Sequence, residues 1–192
     1  WLSLGGLIVA INFAWAPFIN SFKIPILYNL IGLRRSWLVF SQWTLAILVF
    51  SLSIVDLETD YSTLILLVML VFFLGSVQDI SLDAYRVEYD KFNEVSALAS
   101  SYIIGWRIGS YLLGSLIFSQ EGILSWPDIF KVISFLLILL SSVSFLSKRV
   151  DEVVINKFNY GEFFDAIKNL ILRKDFVIIL IFIAFYRVSD TV

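Results

Sequence analysis

The feature that most constrains this chain is the run from Tyr61 to Leu74, which is strongly apolar and then picks up Gln78, Asp79, Asp83 and Arg86 before it ends. Leu64 to Leu74 is apolar on every side, so it needs lipid or a large core around it. Asp79, Asp83 and Arg86 fall at i, i+4 and i+7 and form one stripe on a helix. A soluble helix would show that stripe as its solvated face. Inside a membrane segment an ionisable group costs roughly 2.5–3.5 kcal/mol and normally faces a partner helix or a wet cavity. The stripe is therefore the first candidate for function.

Composition points the same way. The chain is 59% hydrophobic and only 16% charged, with a mean hydropathy of +0.90, where a soluble domain is about 25% charged. It reads as an all-α integral membrane protein whose first partner is the lipid bilayer, and nucleic acid is not expected to bind. Cys is absent, which removes disulfides, thiolate metal sites and cysteine nucleophiles. His is absent too, and with it the commonest catalytic base and metal ligand. Any proton handling must use carboxylates. No metal or cofactor is expected, and an intramembrane enzyme has no G-x-S-x-G element or metal-ligand cluster to stand on.

Six spans are expected. Leu2 to Ile19 is the first, near the lower length limit for crossing a bilayer, with Asn12 inside it and Pro17 near its end. Asn20 to Ser36 reads as a loop with Pro25, Gly32, Lys23, Arg34 and Arg35. The second span runs from Trp37 to about Val55, with Trp37 and Trp43 near one end as members of an aromatic belt. The third starts near Thr63 and runs into the polar stripe, which puts Asp79 some 24 Å along and Asp83 near 30 Å at ~1.5 Å per residue. Val95 to Phe118 is the fourth and carries Arg107 roughly 18 Å deep, mid-membrane. Its Gly105, Gly109, Ser110 and Gly114 allow close approach to a neighbour. Ile129 to Leu146 is the fifth, and the sixth starts at Phe176 and reaches Tyr186, Arg187 and Asp190. Between these last two, Phe163 to Ile171 has the spacing of an amphipathic helix lying on the membrane surface.

Lysine and arginine are distributed unevenly among the connections. Asn20–Ser36 holds three, Asp83–Glu94 two and Ser147–Lys174 six, while Asp56–Ser62 and Ser119–Asp128 hold none. By the positive-inside rule the three basic loops are expected in the cytoplasm. Trp1 is not an initiator Met and Val192 closes an apolar run, so the chain is expected to be a fragment of a longer membrane protein; a mis-split reading frame would look the same.

Five phrases, in order, resemble the muropeptide permease AmpG family of the major facilitator superfamily. They are Trp15-Ala-Pro17, Gly32-Leu-Arg34-Arg35-Ser-Trp37, Gln78-Asp79-Ile-Ser-Leu-Asp83-Ala84-Tyr85-Arg86, Gly105-Trp-Arg107-Ile-Gly109 and Tyr186-Arg187-Val-Ser-Asp190. The resemblance covers essentially all 192 residues and implies helices two to seven of a twelve-helix transporter. On that scheme residues 1–146 belong to the first bundle, 147–174 to a cytoplasmic inter-bundle loop and 175–192 to the start of the second bundle. It also implies proton symport of anhydro-muropeptides by alternating access in a bacterial inner membrane, with the remaining helices of the full transporter as partners. An acetyl-coenzyme A or other organic-anion carrier, or a truncated non-transporting paralogue, is the alternative. The family's first-loop motif, a cytoplasmic gate here represented by Asn20, Gly32, Arg34 and Arg35, usually has an acidic residue where Asn20 stands and a basic one where Leu33 stands.

The residues carry weight accordingly. Asp79 is either a carboxylate neutralised structurally by an arginine or a proton or substrate site, and its depth favours the second. Arg107, too deep to snorkel, is the expected partner of Asp79 or of a bound anion. Gln78, Asp83 and Arg86 belong to the pathway or to an ordinary helix end. Arg187 and Asp190, at i and i+3, are a self-neutralising pair or a gating pair of the second bundle, with Tyr186 beside them.

Overall fold

Gly32 adopts φ 89° and ψ 176°, a conformation that favours glycine, and this residue decides where the first long helix begins. The computed structural model describes residues 8, 11–56, 60–89, 95–119, 124–150, 160–178 and 181–182. A 3-10 turn over Asn12–Ala14 leads into α1, Ala16–Ser21, whose first turn holds Pro17. A short helix α2, Leu27–Ile31, follows; Gly32 ends it and starts α3, Leu33–Leu52. The expected loop from Asn20 to Ser36 is thus mostly helical. Arg34 and Arg35 lie in the first turn of α3, because Leu33 and Trp37 are core residues one turn apart and both must be held on the same helical face.

The remaining long helices are α4, Tyr61–Tyr89; α5, Val95–Ser119; and α6, Trp126–Leu146. By length and composition α3, α4 and α6 are able to cross a membrane. The described residues form helices, turns and irregular segments without a strand. Residues 1–155 make one compact unit and 156–192 another. The second unit contains α7, Tyr160–Ile171, a helix over the segment expected to be amphipathic. All but Ile8 of residues 1–10 lie outside the described residues, and so do Tyr186, Arg187 and Asp190.

In the first unit α3 is the hub, packed along its length against both α4 and α6. Small residues make that approach close. Ser36 and Ser41 on α3 and Ser76 and Ser81 on α4 are fully buried. Ser36, Ser41 and Ser81 satisfy their hydroxyls on their own helix, at Leu33 O (2.7 Å), Leu38 O (2.9 Å) and Val77 O (2.9 Å). In lipid, where apolar burial gives little drive between helices, such close packing is what holds them. Two bonds tie α3 to α6: Ser134 Oγ donates to Ala46 O at 2.8 Å and Trp43 Nε1 to Ser141 Oγ at 2.9 Å. Trp37 is not the interfacial anchor expected of it. It is buried with Ile19, Leu33 and Val77 and donates its indole N–H to Phe22 O at 2.9 Å. The outer face of α6, with Phe135, Leu139, Val143 and Leu146 exposed, is apolar, as lipid contact requires.

Candidate functional site

Helix α4 has two faces, and each builds part of the site. Leu74, Val77 and Ser81 are buried. Glu88, two turns beyond Ser81 on the same face, reaches Arg34 at the start of α3. The guanidinium of Arg34 donates through Nε to both carboxylate oxygens at 3.1 Å and through Nη2 to Oε1 at 2.7 Å. Its Nη1 donates to Asn20 Oδ1. A cation in the first turn of a helix opposes the macrodipole, and the buried carboxylate of Glu88 offsets that. Arg35, beside it, donates to Ile31 O at 2.8 Å and to the Phe145 and Ser147 carbonyls at the end of α6, where carbonyls lack intrahelical donors and the dipole favours a cation.

The first-loop residues thus assemble as a charged cluster, though not with the partner the motif suggests. The carboxylate comes from Glu88 on α4, while Asn20 contributes an acceptor. Leu33 is fully buried, so a basic residue there would meet the apolar cluster around Trp37. Glu88 was missed because the sequence pattern draws attention to Asp79, Asp83 and Arg86; its i+7 spacing from Ser81 is the signal that places it on the buried face.

The other face of α4 lines a cleft of about 730 Å³ with Gln78, Asp79, Leu82, Tyr85, Arg86 and Tyr89. Across it stand Leu98, Ser101, Tyr102, Gly105 and Trp106 of α5, and Ser147 and Lys148 after α6 close one side. Arg86 bridges the opening: its guanidinium lies over the Tyr102 ring at 4.5 Å and pairs with Asp83 at 3.0 Å. Asp83 itself does not line the cleft. The arrangement offers a carboxylate, an amide, two cations and four aromatic rings to one ligand, which suits hydrogen bonding and ring stacking combined.

Arg107 is not part of it. No ion pair joins Arg107 to Asp79 among the described residues. Leu98, Ser101, Tyr102 and Gly105, at i, i+3, i+4 and i+7, turn one face of α5 to the cleft. Arg107, two residues past Gly105, lies about 200° round the helix from it. Among the described residues, a Cβ at Gly105, Gly109 or Gly114 would meet nothing within 4 Å.

No family model matches the chain. Individual proteins do. "Putative transporter AmpG 1" of Rickettsia bellii is 27% identical over 199 residues, covering 98% of this chain and 48% of its own length. "Putative transporter AmpG 3" of Rickettsia prowazekii is 28% identical over 205 residues, covering all of this chain and 48% of its own length. An uncharacterized protein of Haemophilus influenzae is 28% identical over 187 residues, 94% of this chain and 43% of its own. The chain spans about half the length of the curated relatives it matches. These likenesses support a transporter role.

Proposed function

We propose that the chain is part of a proton-coupled symporter of the major facilitator type that works by alternating access and carries anhydro-muropeptides across a bacterial inner membrane. The observation that carries this reading is the similarity, over nearly the whole chain, to proteins named as AmpG transporters. A cleft beside a carboxylate at membrane depth is what such a function needs. In this reading six spans correspond to helices two to seven of twelve. Residues 1–146 belong to the first bundle, 147–174 to the cytoplasmic loop between bundles and 175–192 to the second, with the basic loops cytoplasmic.

Asp79 is the group that takes up the proton. A charged carboxylate at that depth is costly, so protonation on one side and release on the other couples its state to the orientation of the bundle. Gln78, Tyr85 and Arg86 bind the ligand from the same helix. The cluster of Arg34, Glu88, Asn20 and Arg35 holds the cytoplasmic ends of α3, α4 and α6 together as the bundle rocks. Arg107, on the far face of α5, is reserved for the rest of the transporter, and Tyr186, Arg187 and Asp190 act from the second bundle.

Uptake of labelled anhydro-muropeptide into cells lacking their own permease, at two external pH values, tests the proposal. Import by the full-length gene that rises at acid external pH is expected. Membrane insertion without import at either pH refutes the proposed substrate.

A further inference from the structure

A second hollow, of about 540 Å³, lies between α3 and α6. Buried Ala46 and Ser134 form its floor, and Trp43, Ile47, Phe50 and Ile138, each half exposed or nearly so, form its rim. Its polar side chains have their donors engaged within the helix pair, Ser134 Oγ at Ala46 O (2.8 Å) and Trp43 Nε1 at Ser141 Oγ (2.9 Å). Four large side chains at the rim also keep a further helix from the close approach that association in lipid requires. Both helices are long and apolar enough to cross a membrane, so what suits the hollow is hydrocarbon. At one end it meets charge. Lys131 stands one turn before Ser134 and two before Ile138, on one stripe of α6. It pairs with Asp128 at 2.9 Å, and both side chains are about half exposed. Trp126, exposed at the start of the helix, marks the membrane interface. From Lys131 to Ile138 is roughly 10 Å, most of the ~15 Å depth of one leaflet.

We propose that this hollow holds one acyl chain of an aminophospholipid, whose phosphate is bound by Lys131 and whose ammonium is bound by Asp128. The order of the two charges matches the lipid. Lys131 is the deeper residue and Asp128 lies nearer the helix end, as a phosphate lies deeper in the interface than the ammonium it carries. Neither side chain is saturated: an ammonium has three N–H donors, of which Asp128 takes one, and the Asp128 carboxylate accepts from Lys131 at 2.9 Å and from Ser125 Oγ at 2.6 Å with acceptor sites left over. An anionic headgroup without an ammonium would offer Asp128 nothing to pair with, and a choline headgroup has no N–H to donate. The site needs the two helices in a bilayer and no transported substrate, so it stands apart from the proposed transport.

The full-length protein is reconstituted in phosphatidylcholine vesicles with a trace of phosphatidylethanolamine carrying a diazirine on its acyl chain, and the cross-linked residues are mapped by mass spectrometry. Labelling of Trp43, Ile47, Phe50 and Ile138 is expected to exceed several-fold that of Phe135, Leu139 and Val143, the exposed outer face of α6 that reports ordinary bilayer contact. Lys131→Gln and Asp128→Asn are each expected to lower that excess about threefold, the scale of one half-exposed ion pair. Phosphatidylglycerol and phosphatidylcholine probes should lower it likewise. Unchanged labelling of the outer face in both variants shows that they remain inserted. Equal labelling of the two faces overturns the proposal, because the hollow then sees bulk lipid only. Absent labelling of the hollow overturns it too, since a further helix or a second copy then covers it. An excess that neither the headgroup nor either substitution changes removes Lys131 and Asp128 from the site and overturns the proposal as stated.

Discussion

Arg34 and Glu88 are 54 residues apart in sequence and meet at 2.7 Å, with side chains only 6% and 10% exposed. The pair locks the first turn of α3 to the last turn of α4. A buried pair of this kind gains little over an apolar substitute, yet losing one member leaves an uncompensated charge.

Glu88→Ala and Arg34→Ala are therefore each expected to destabilise the protein by about 3–5 kcal/mol, and the double substitution by less than their sum. Thermal unfolding of the four proteins in one detergent measures this. Equal, additive losses would mean that the two side chains act independently.

Leu33→Lys, which restores the basic residue of the related first-loop motif, is expected to lower stability by several kcal/mol. Leu33 is fully buried against Ile19, Trp37 and Val77. The same unfolding measurement decides the matter, and a neutral outcome would show that the lysine escapes to water without disturbing Trp37.

Asp60 caps α4, accepting from the Thr63 amide at 3.2 Å and the Ser62 hydroxyl at 3.1 Å. Hydrogen bonds from Thr63, and then Ser62, hold its carboxyl below the usual range. The folded-state pKa is thus lower than the unfolded one. The cap contributes stability above the unfolded value and loses it as pH falls through the folded value. Amide exchange at Thr63, followed from neutral pH into acid and compared at each pH with the intrinsic rate, is expected to lose its protection only at the acid end. In Asp60→Ala the Thr63 amide should be unprotected at every pH.

Asp79→Asn is expected to abolish proton-dependent uptake while leaving membrane insertion intact. The exchanged pair Asp79→Arg with Arg107→Asp should not restore it, because Asp79 faces the cleft and Arg107 the far side of α5. Uptake assays on the singles and the double check both statements. Rescue by the exchange would reinstate the direct pairing.

The chain by itself determined that this is a helical membrane protein, since the run Leu64–Leu74 has no polar face to give to water. It also determined the polar face of α4, because Gln78, Asp79 and Arg86 keep the spacing of one helical stripe wherever the helix is placed. Tertiary structure alone decided which groups meet. Arg107 and Asp79 were natural partners by depth, but depth along two helices says nothing about their rotation, and the phase of α5 turns Arg107 away. Glu88 and Tyr85 meet their partners, Arg34 and the Lys148 carbonyl, across 54 and 63 residues. Such contacts depend on how three helices lean on one another. Helical periodicity fixes the face a residue occupies on its own helix; what stands opposite that face is set by the packing of the others.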